Sequence, residues 1–221
     1  MRGAYRDTSI AEHFRNEGQD VLLSMDSLTR FAMAQREIGL AAGEPPTTKG
    51  YPPSVFALLA GLLERTGTHD GPGSITGFYT VLVEGDDVND PIADAIRAIV
   101  DGHIILSRGI AEKGTYPAVD LLSSTSRVMV DVVGEKHLKL NQIMRRTLAT
   151  YREAEDLINI GAYVKGSNPE IDYAITKKPL IQKFIQQGMN EHTDLKECEE
   201  HILQIFGDRL EEDTTTEENS A

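Results

Sequence analysis

The sequence has one cysteine, Cys198, far fewer basic than acidic residues (22 against 35), and no apolar run of about 18 residues. A lone cysteine excludes a disulfide framework within the chain and is typical of a reducing compartment. The lack of a long apolar run argues against a membrane-spanning helix, and the first residues lack the apolar stretch of a signal peptide. A net charge of −13 argues against general nucleic-acid binding, which needs clustered Lys and Arg. We therefore expect a cytoplasmic protein that does not bind nucleic acid.

Apolar runs alternate with helical patterns in the first part of the chain. Strand-like runs occur at residues 21–25, 75–83 and 104–106, and segments with helical spacing lie between them. This alternation predicts an α/β fold over residues 1–134, with a mostly parallel sheet and flanking helices. The run at 21–25 is apolar on both faces, which predicts a strand covered on both sides.

The pattern changes after about residue 134. Apolar residues then recur only at helical intervals, which predicts a small all-helical domain over residues 135–210. Residues 211–221 hold five acids and no base, so they are predicted to form a disordered acidic tail.

The first candidate site residue is Asp26, which ends the run Val21-Leu-Leu-Ser-Met-Asp26. A carboxylate at the carboxyl end of a parallel strand lies at the crevice where ligands bind, and it can hold Mg²⁺ there. The pattern alone is weak, because apolar runs ending in Asp are common. Asp26 could instead cap the helix that follows it.

The most informative stretch is residues 105–129, which contains the pair Tyr116-Pro117 and a lone arginine, Arg127, in a run of hydroxyl side chains. Arginine has a rigid, permanently charged fork that matches phosphate oxygens better than lysine does. The alternative for Arg127 is a surface loop in which it pairs with a nearby acid.

Together with residues 26–38, 43–56 and 73–94, the stretch 105–129 resembles the flagellar and type III secretion export ATPases, relatives of the rotary ATP synthase catalytic subunit. The resemblance extends from about residue 4 to about residue 175. It implies a partial RecA-like P-loop ATPase core followed by a helical domain. It also implies that Asp26 is the magnesium-side acid, that Tyr116 stacks on the adenine, and that Arg127 is the catalytic arginine offered to a neighbouring subunit.

The sequence departs from this family in two respects that concern catalysis. No Gly-x-x-x-x-Gly-Lys-Ser/Thr motif is present, and the nearest stretch, residues 43–50, has Lys49 misplaced and two prolines where backbone N–H groups are needed. The family's Gly-Glu-Arg element is also absent. We therefore expect the chain to be the carboxyl half of a longer protein or the product of a truncated gene, and to be inactive alone.

The resemblance implies an ATP hydrolase that uses ATP and Mg²⁺ and energises protein export as a homohexamer. The implied partners are an export gate, a stalk protein and chaperone–substrate complexes, and the implied location is cytoplasmic, peripheral at the inner face of the cell membrane. Two alternatives stay open. One is a rotary ATP synthase catalytic subunit, and the other is a truncated assembly module without catalysis.

Two further clusters are weaker candidates. The acids around residues 86–90 resemble a calcium cluster but lack the distal Glu of an EF-hand loop, so they favour a solvated turn and a helix cap. Cys198 and His201 have the spacing of half a zinc site, but the chain has no second pair of ligands with matching spacing, which favours a core thiol.

Overall fold

The structure, a computed structural model, describes residues 1–87 and 89–218, with side chains as far as residue 211. The chain divides into two compact units, Met1–Asp101 and Gly102–Ala221. No helix in the described ranges is both long enough and apolar enough to cross a membrane.

The first unit combines a small sheet with four helices, which confirms the predicted α/β architecture. Strands β1 and β3 are parallel, with Val21 opposite Ile75, and the short β2 pairs antiparallel with the other edge of β3. The elements are α1 (Arg2–Asn16), β1 (Asp20–Met25), α2 (Leu28–Ala41), α3 (Pro53–Leu63), β2 (Gly67–Thr68), β3 (Ser74–Tyr79) and α4 (Pro91–Ile99).

The main core of this unit lies among α2, α3 and α4. Helix α3 is apolar over most of its length, and Val55, Leu59 and Leu62 are fully buried in it. They pack with Leu28 of α2 and Ile92 of α4, so these three helices form one hydrophobic cluster. Burying side chains of this size contributes roughly 1.5–3 kcal/mol each, which makes this cluster the main stabilising element of the unit.

The sheet is covered on one face only within the described residues. Leu23 and Ile75 are buried against Ala11 of α1, whereas Leu22 and Phe78 on the opposite face are 72% and 57% exposed. The prediction that the strand at residues 21–25 is covered on both sides is therefore wrong for this chain. The apolar pattern specifies the strand correctly, but the described chain supplies a covering helix for one face alone.

The second unit begins with short, irregular elements and continues with three long helices. They are β4 (Gly102–His103), α5 (Arg108–Glu112), β5 (Thr125–Ser126), α6 (Met129–Val132), α7 (Glu135–Asn159), α8 (Pro169–Ile185) and α9 (Leu195–Glu218). The long helices share a core that contains Leu140, Ile143, Ile181 and Phe206. These buried residues recur at the helical spacing that predicted a helical domain.

The third buried strand predicted at residues 104–106 is wrong. Only β4, which ends at His103, is regular strand, and it pairs antiparallel with β5 rather than extending the parallel sheet. Ile104 and Leu106 are 64% and 67% exposed. Three apolar residues in a row cannot by themselves bury a strand, because burial depends on which other segments pack against it.

The starts of α4 and α8 follow local capping chemistry. The Asp90 carboxylate accepts hydrogen bonds from the amides of Ile92 and Ala93, and Pro91 occupies the first turn of α4, where no N–H is needed. Asn168 caps α8 in the same way, with Pro169 after it. The cap at Asp90 confirms the helix cap that the sequence favours around residues 86–90.

Helix α9 extends further than its apolar pattern. The pattern ends near Phe206, but the helix continues to Glu218, so most of the segment predicted as a disordered tail is helical, and residues 219–221 lie outside the described residues. Extending an existing helix avoids the cost of nucleation, and Glu is a good helix former.

Candidate functional site

Asp26 lies at the carboxyl edge of the parallel pair β1–β3. Because Met25 is opposite Tyr79 in the register, the residues that follow them, Asp26 and Thr80, are neighbours. The Thr80 amide donates to the carbonyl oxygen of Met25 at 3.1 Å, and its hydroxyl donates to Oδ1 of Asp26 at 2.6 Å. Asp26 is exposed, so its carboxylate is fixed by one hydrogen bond and open to solvent.

The alternative that Asp26 caps α2 is wrong. The cap is the next residue, Ser27, whose Oγ accepts a hydrogen bond from the Arg30 amide at 3.4 Å. Ser27 is buried at the start of α2, whereas Asp26 beside it is exposed to solvent. The carboxylate of Asp26 is thus not needed to start the helix.

The geometry around Asp26 fits a magnesium ion that keeps most of its own water. Mg²⁺ is usually held by one or two carboxylates together with waters and substrate phosphates. Asp26 supplies one exposed carboxylate. In the part of the chain that the structure describes, no group of three or more His, Cys, Asp or Glu side chains could form an all-protein cage. When bound, Mg²⁺ would neutralise phosphate charge, and Asp26 is the residue that would hold it.

The loop that holds Lys49 is not a phosphate cradle. It lies between two helices, α2 and α3, whereas a P-loop joins a strand to a helix. Lys49 donates to the Asp87 carboxylate and also lies 3.7 Å from Oδ2 of Asp90. The hydrogen bond to Asp87 raises the pKa of Lys49 and lowers that of Asp87. This lysine is therefore engaged by two carboxylates.

The acidic turn that contains Asp87 and Asp90 behaves as a turn and a cap. Asp87 accepts a hydrogen bond from the Asn89 amide at 2.9 Å, and Asp90 caps α4. This confirms the helix cap favoured by the sequence. Val88 lies outside the described residues.

Tyr116 follows α5 and presents an exposed ring on an anchored backbone. Its carbonyl oxygen accepts a hydrogen bond from the Gln187 amide at 2.9 Å, and its side chain is 57% exposed. The nearby amide of Ser107 donates to the carbonyl oxygen of Ala118 at 2.8 Å. An exposed aromatic ring on a fixed backbone can stack on a planar base, so the geometry is compatible with the predicted role, which stays a prediction.

Arg127 directly follows β5, two residues before α6 begins, and its side chain is exposed. The strand before it, β5, pairs with β4 through Gly102–Ser126 and His103–Thr125. Tyr116 and Arg127 belong to the second unit, whereas Asp26 belongs to the first. The structure thus gives each of the three residues a defined local setting.

The sequence does not point to Thr80, which the structure places beside Asp26. The apolar pattern of its strand runs on to Val83, whereas β3 ends at Tyr79. A strand that ends at Tyr79 puts Thr80 at the carboxyl edge that it shares with Asp26, because parallel strands have their carboxyl ends at one edge.

Comparison with known proteins gives two family matches in succession. Residues 1–126 match the nucleotide-binding domain of the ATP synthase alpha/beta family. Residues 133–204 match the C-terminal domain of the type III secretion ATPase EscN.

Individual relatives and solved structures agree with these matches. The flagellum-specific ATP synthase of Bacillus subtilis is 56% identical over 94% of this chain and 47% of its own length. The chain thus spans about half the length of the curated relatives it matches.

Two solved structures of EscN from enteropathogenic E. coli are also similar. The assembled ATPase is 49% identical with a TM-score of 0.88 over 91% of this chain and 49% of that one. EscN in complex with its central stalk EscO is 46% identical, with a TM-score of 0.82 over 91% of this chain and 48% of that one. Because the nucleotide-binding-domain match spans more than half of its residues, the chain belongs to the ATP synthase alpha/beta family, with a match to the type III secretion ATPase C-terminal domain following it.

Proposed function

We propose that this chain is the carboxyl-terminal portion of an ATPase that energises flagellar or type III protein export in a homohexameric ring. One observation carries the proposal. The nucleotide-binding-domain match is followed on the same chain by a match to the C-terminal domain of a type III secretion ATPase. This second match favours an export ATPase over the catalytic subunit of a rotary ATP synthase.

In the proposed reaction, ATP is hydrolysed with Mg²⁺, and the protein positions and neutralises phosphate charge. Asp26 would hold the magnesium ion, with its carboxylate oriented by the Thr80 hydroxyl. The exposed ring of Tyr116 stacks on the adenine. Arg127 stabilises the transition state at the site of the adjacent subunit, where its guanidinium fork matches the phosphate oxygens.

We propose a domain boundary between residues 134 and 135. Helix α6 ends at Val132 and α7 begins at Glu135, and the two family matches meet between residues 126 and 133. The compact unit begins earlier, at Gly102, because the segment before α7 packs on that helix. The proposed nucleotide-binding part therefore comprises residues 1–134, and the helical domain comprises residues 135–210.

The proposed partners are further copies of the same protein, a central stalk protein, an export gate and chaperone–substrate complexes. The stalk is supported by the similarity to EscN solved with its stalk EscO. The proposed location is cytoplasmic, peripheral at the inner face of the membrane, where such an export gate opens.

A chimera tests the proposal. In it, this chain replaces the region that it matches in the flagellum-specific ATP synthase of Bacillus subtilis, at 56% identity. The chimera should hydrolyse ATP and restore flagellar export in cells that lack their own copy of that protein. The matched control carries Arg127→Ala and should assemble without restoring export. A chimera that hydrolyses ATP and assembles but never supports export would contradict the proposed function.

A further inference from the structure

A tight turn at residues 120–124 comes directly before β5 and Arg127. Oδ1 of Asp120 accepts hydrogen bonds from the amides of Leu122 at 3.0 Å and Ser123 at 3.2 Å. The Asp120 carbonyl oxygen accepts from the Ser124 amide at 3.0 Å and from its hydroxyl at 2.7 Å. The turn is therefore closed by its own side chains, and two residues of strand separate it from Arg127.

The guanidinium of Arg145, on α7, donates hydrogen bonds to backbone carbonyl oxygens of this turn. Its Nη1 donates to the carbonyl oxygens of Leu121 at 2.6 Å and Ser124 at 3.1 Å, and its Nη2 donates to that of Leu122 at 3.0 Å. The guanidinium contacts the three carbonyl oxygens from two nitrogens held in a fixed planar fork, whereas the three N–H donors of a lysine ammonium all lie on one nitrogen. A lysine carries a similar charge but lacks this fork.

A second arginine of the same helix holds the start of the turn. Nη2 of Arg152 lies 3.0 Å from Oδ1 of Asp120. Burial of the Asp120 carboxyl opposes its ionisation, but hydrogen bonds from Arg152 and Ser123 outweigh burial and hold its pKa below the ordinary value. Asp120 is therefore ionised at neutral pH, and it links α7 to the turn through charge as well as hydrogen bonding.

The opposite side of the turn is bound to the segment that follows β4. The Ile105 amide donates to the Ser124 hydroxyl at 2.9 Å, and the Asp120 amide donates to the carbonyl oxygen of Ile105 at 2.9 Å. The ring of His103 also lies 3.1 Å from the Ser123 carbonyl oxygen. With one side fixed in this way, Arg145 and Arg152 hold the other side against α7, and Arg145 makes three of the four hydrogen bonds.

We propose that Arg145 is a positioning residue for Arg127. It ties the turn that leads into Arg127 to the first long helix of the helical domain, so the position of α7 sets the position of the arginine. The inference rests on the proposed function, in which Arg127 acts at a neighbouring nucleotide. Because placement errors of about 1 Å can cost on the order of 10²-fold in rate, a loosened turn slows turnover without touching the nucleotide.

The test measures kcat and KM for ATP in the chimera with Arg145→Lys, using Arg146→Lys as the matched control. Arg146 is the adjacent, exposed arginine of the same helix. Arg145→Lys should lower kcat on the order of 10²-fold with little change in KM, because Arg127 acts on the transition state. Arg146→Lys should keep both values. Unchanged kcat in Arg145→Lys, or a loss expressed mainly in KM, would overturn the inference.

A double variant separates positioning from general damage. If Arg145 acts through Arg127, the pair Arg127→Ala and Arg145→Lys should turn over no more slowly than Arg127→Ala alone, whereas independent effects would multiply. If Arg127→Ala retains full turnover, the proposed role of Arg127 fails and the inference fails with it. If Arg127→Ala is inactive and Arg145→Lys is fully active, only the inference fails.

A second variant covers the case in which Arg145→Lys does not fold. Arg152→Gln removes the other anchor, and the Arg152 side chain is 53% exposed, so its replacement leaves the core intact. It should lower kcat in the same way by a smaller factor, and increase hydrogen exchange at the amides of residues 122–124. Loosened amides with an unchanged kcat would contradict positioning by this turn.

Discussion

The hydroxyl of Thr80 donates a 2.6 Å hydrogen bond to Oδ1 of Asp26 across the carboxyl ends of β1 and β3. The two residues are 54 positions apart in sequence and meet only because the strands are parallel and in register. The bond occupies one carboxylate oxygen and leaves the group exposed. If Asp26 binds Mg²⁺ as proposed, Thr80 is the hydrogen-bond partner that orients this ligand.

Removing this hydroxyl should weaken magnesium binding. In the chimera, Thr80→Val should raise the Mg²⁺ concentration needed for half-maximal ATPase activity by about tenfold, as expected for loss of a partner that orients a metal ligand. Thr80→Ser keeps the hydroxyl and should retain the original Mg²⁺ dependence. An unchanged Mg²⁺ titration in Thr80→Val, with Asp26→Asn inactive, would show that Thr80 does not orient the carboxylate.

The 221-residue chain alone should neither hydrolyse ATP nor bind it tightly. The sequence has no P-loop, and Lys49, the lysine of the nearest similar stretch, is paired with Asp87 and Asp90. A steady-state assay on purified chain, with calorimetric titration of ATP and Mg²⁺, checks both points. Magnesium-dependent turnover that disappears with Asp26→Ala would contradict this prediction.

The part of the fold that depends on local chemistry can be predicted from the sequence. Asp90-Pro91 and Asn168-Pro169 start helices because the capping side chain and the proline act within one turn. The buried strand predicted at residues 104–106 is wrong, since the burial of a short apolar run depends on segments far away in sequence. The sequence also gives no sign that Pro179 lies within the continuous helix α8, because an internal proline by itself predicts a break.

The candidate site shows the same division. The position of Asp26 follows from a strand that ends in an acid, which is a local pattern. Its partner Thr80 depends on where β3 ends, and the contacts of Arg145 depend on tertiary packing between α7 and an irregular turn. Nothing in the sequence indicates that Arg145 meets this turn.

The ion pair between Glu12 and Arg65 should give the first unit a measurable acid sensitivity. Arg65 donates to both carboxylate oxygens of Glu12, at 2.7 and 2.6 Å. The hydrogen bond from Arg65 lowers the pKa of Glu12 from its ordinary 4.5. A lowered pKa stabilises the folded state above pH 4.5, and that contribution is lost as the pH falls through the lowered value.

Glu12→Gln should therefore destabilise the chain by about 0.5–1 kcal/mol at neutral pH, near the upper end for a partly exposed pair. It should also reduce the loss of stability below pH 4.5. Urea unfolding between pH 3 and 7 checks both effects, and hydrogen exchange of α1 amides, measured at the same pH values, shows whether they arise near Glu12. The control Glu37→Gln replaces an exposed glutamate of α2. Equal pH profiles for Glu12→Gln and the unmodified chain would contradict the assignment.

Arg127 should act on the nucleotide of a neighbouring subunit. In the chimera, Arg127→Ala subunits should still bind ATP, because Tyr116 and the phosphate-binding residues remain. They should turn over on the order of 10³-fold more slowly, since the guanidinium stabilises the transition state rather than bound ATP. Nucleotide binding and turnover measured on the same preparation establish this separation.

Mixing two inactive variants then tests whether the arginine acts between subunits. Subunits with Asp26→Ala have an inactive site but retain Arg127, and subunits with Arg127→Ala have the reverse. Mixed rings should regain activity wherever an intact arginine adjoins an intact site, whereas an arginine serving its own subunit predicts no recovery. The two variants carry different affinity tags, so that recovery is scored only in rings shown to contain both. Rings of proven mixed composition that remain inactive would show that Arg127 does not act between subunits, and would favour the alternative in which it pairs with a nearby acid.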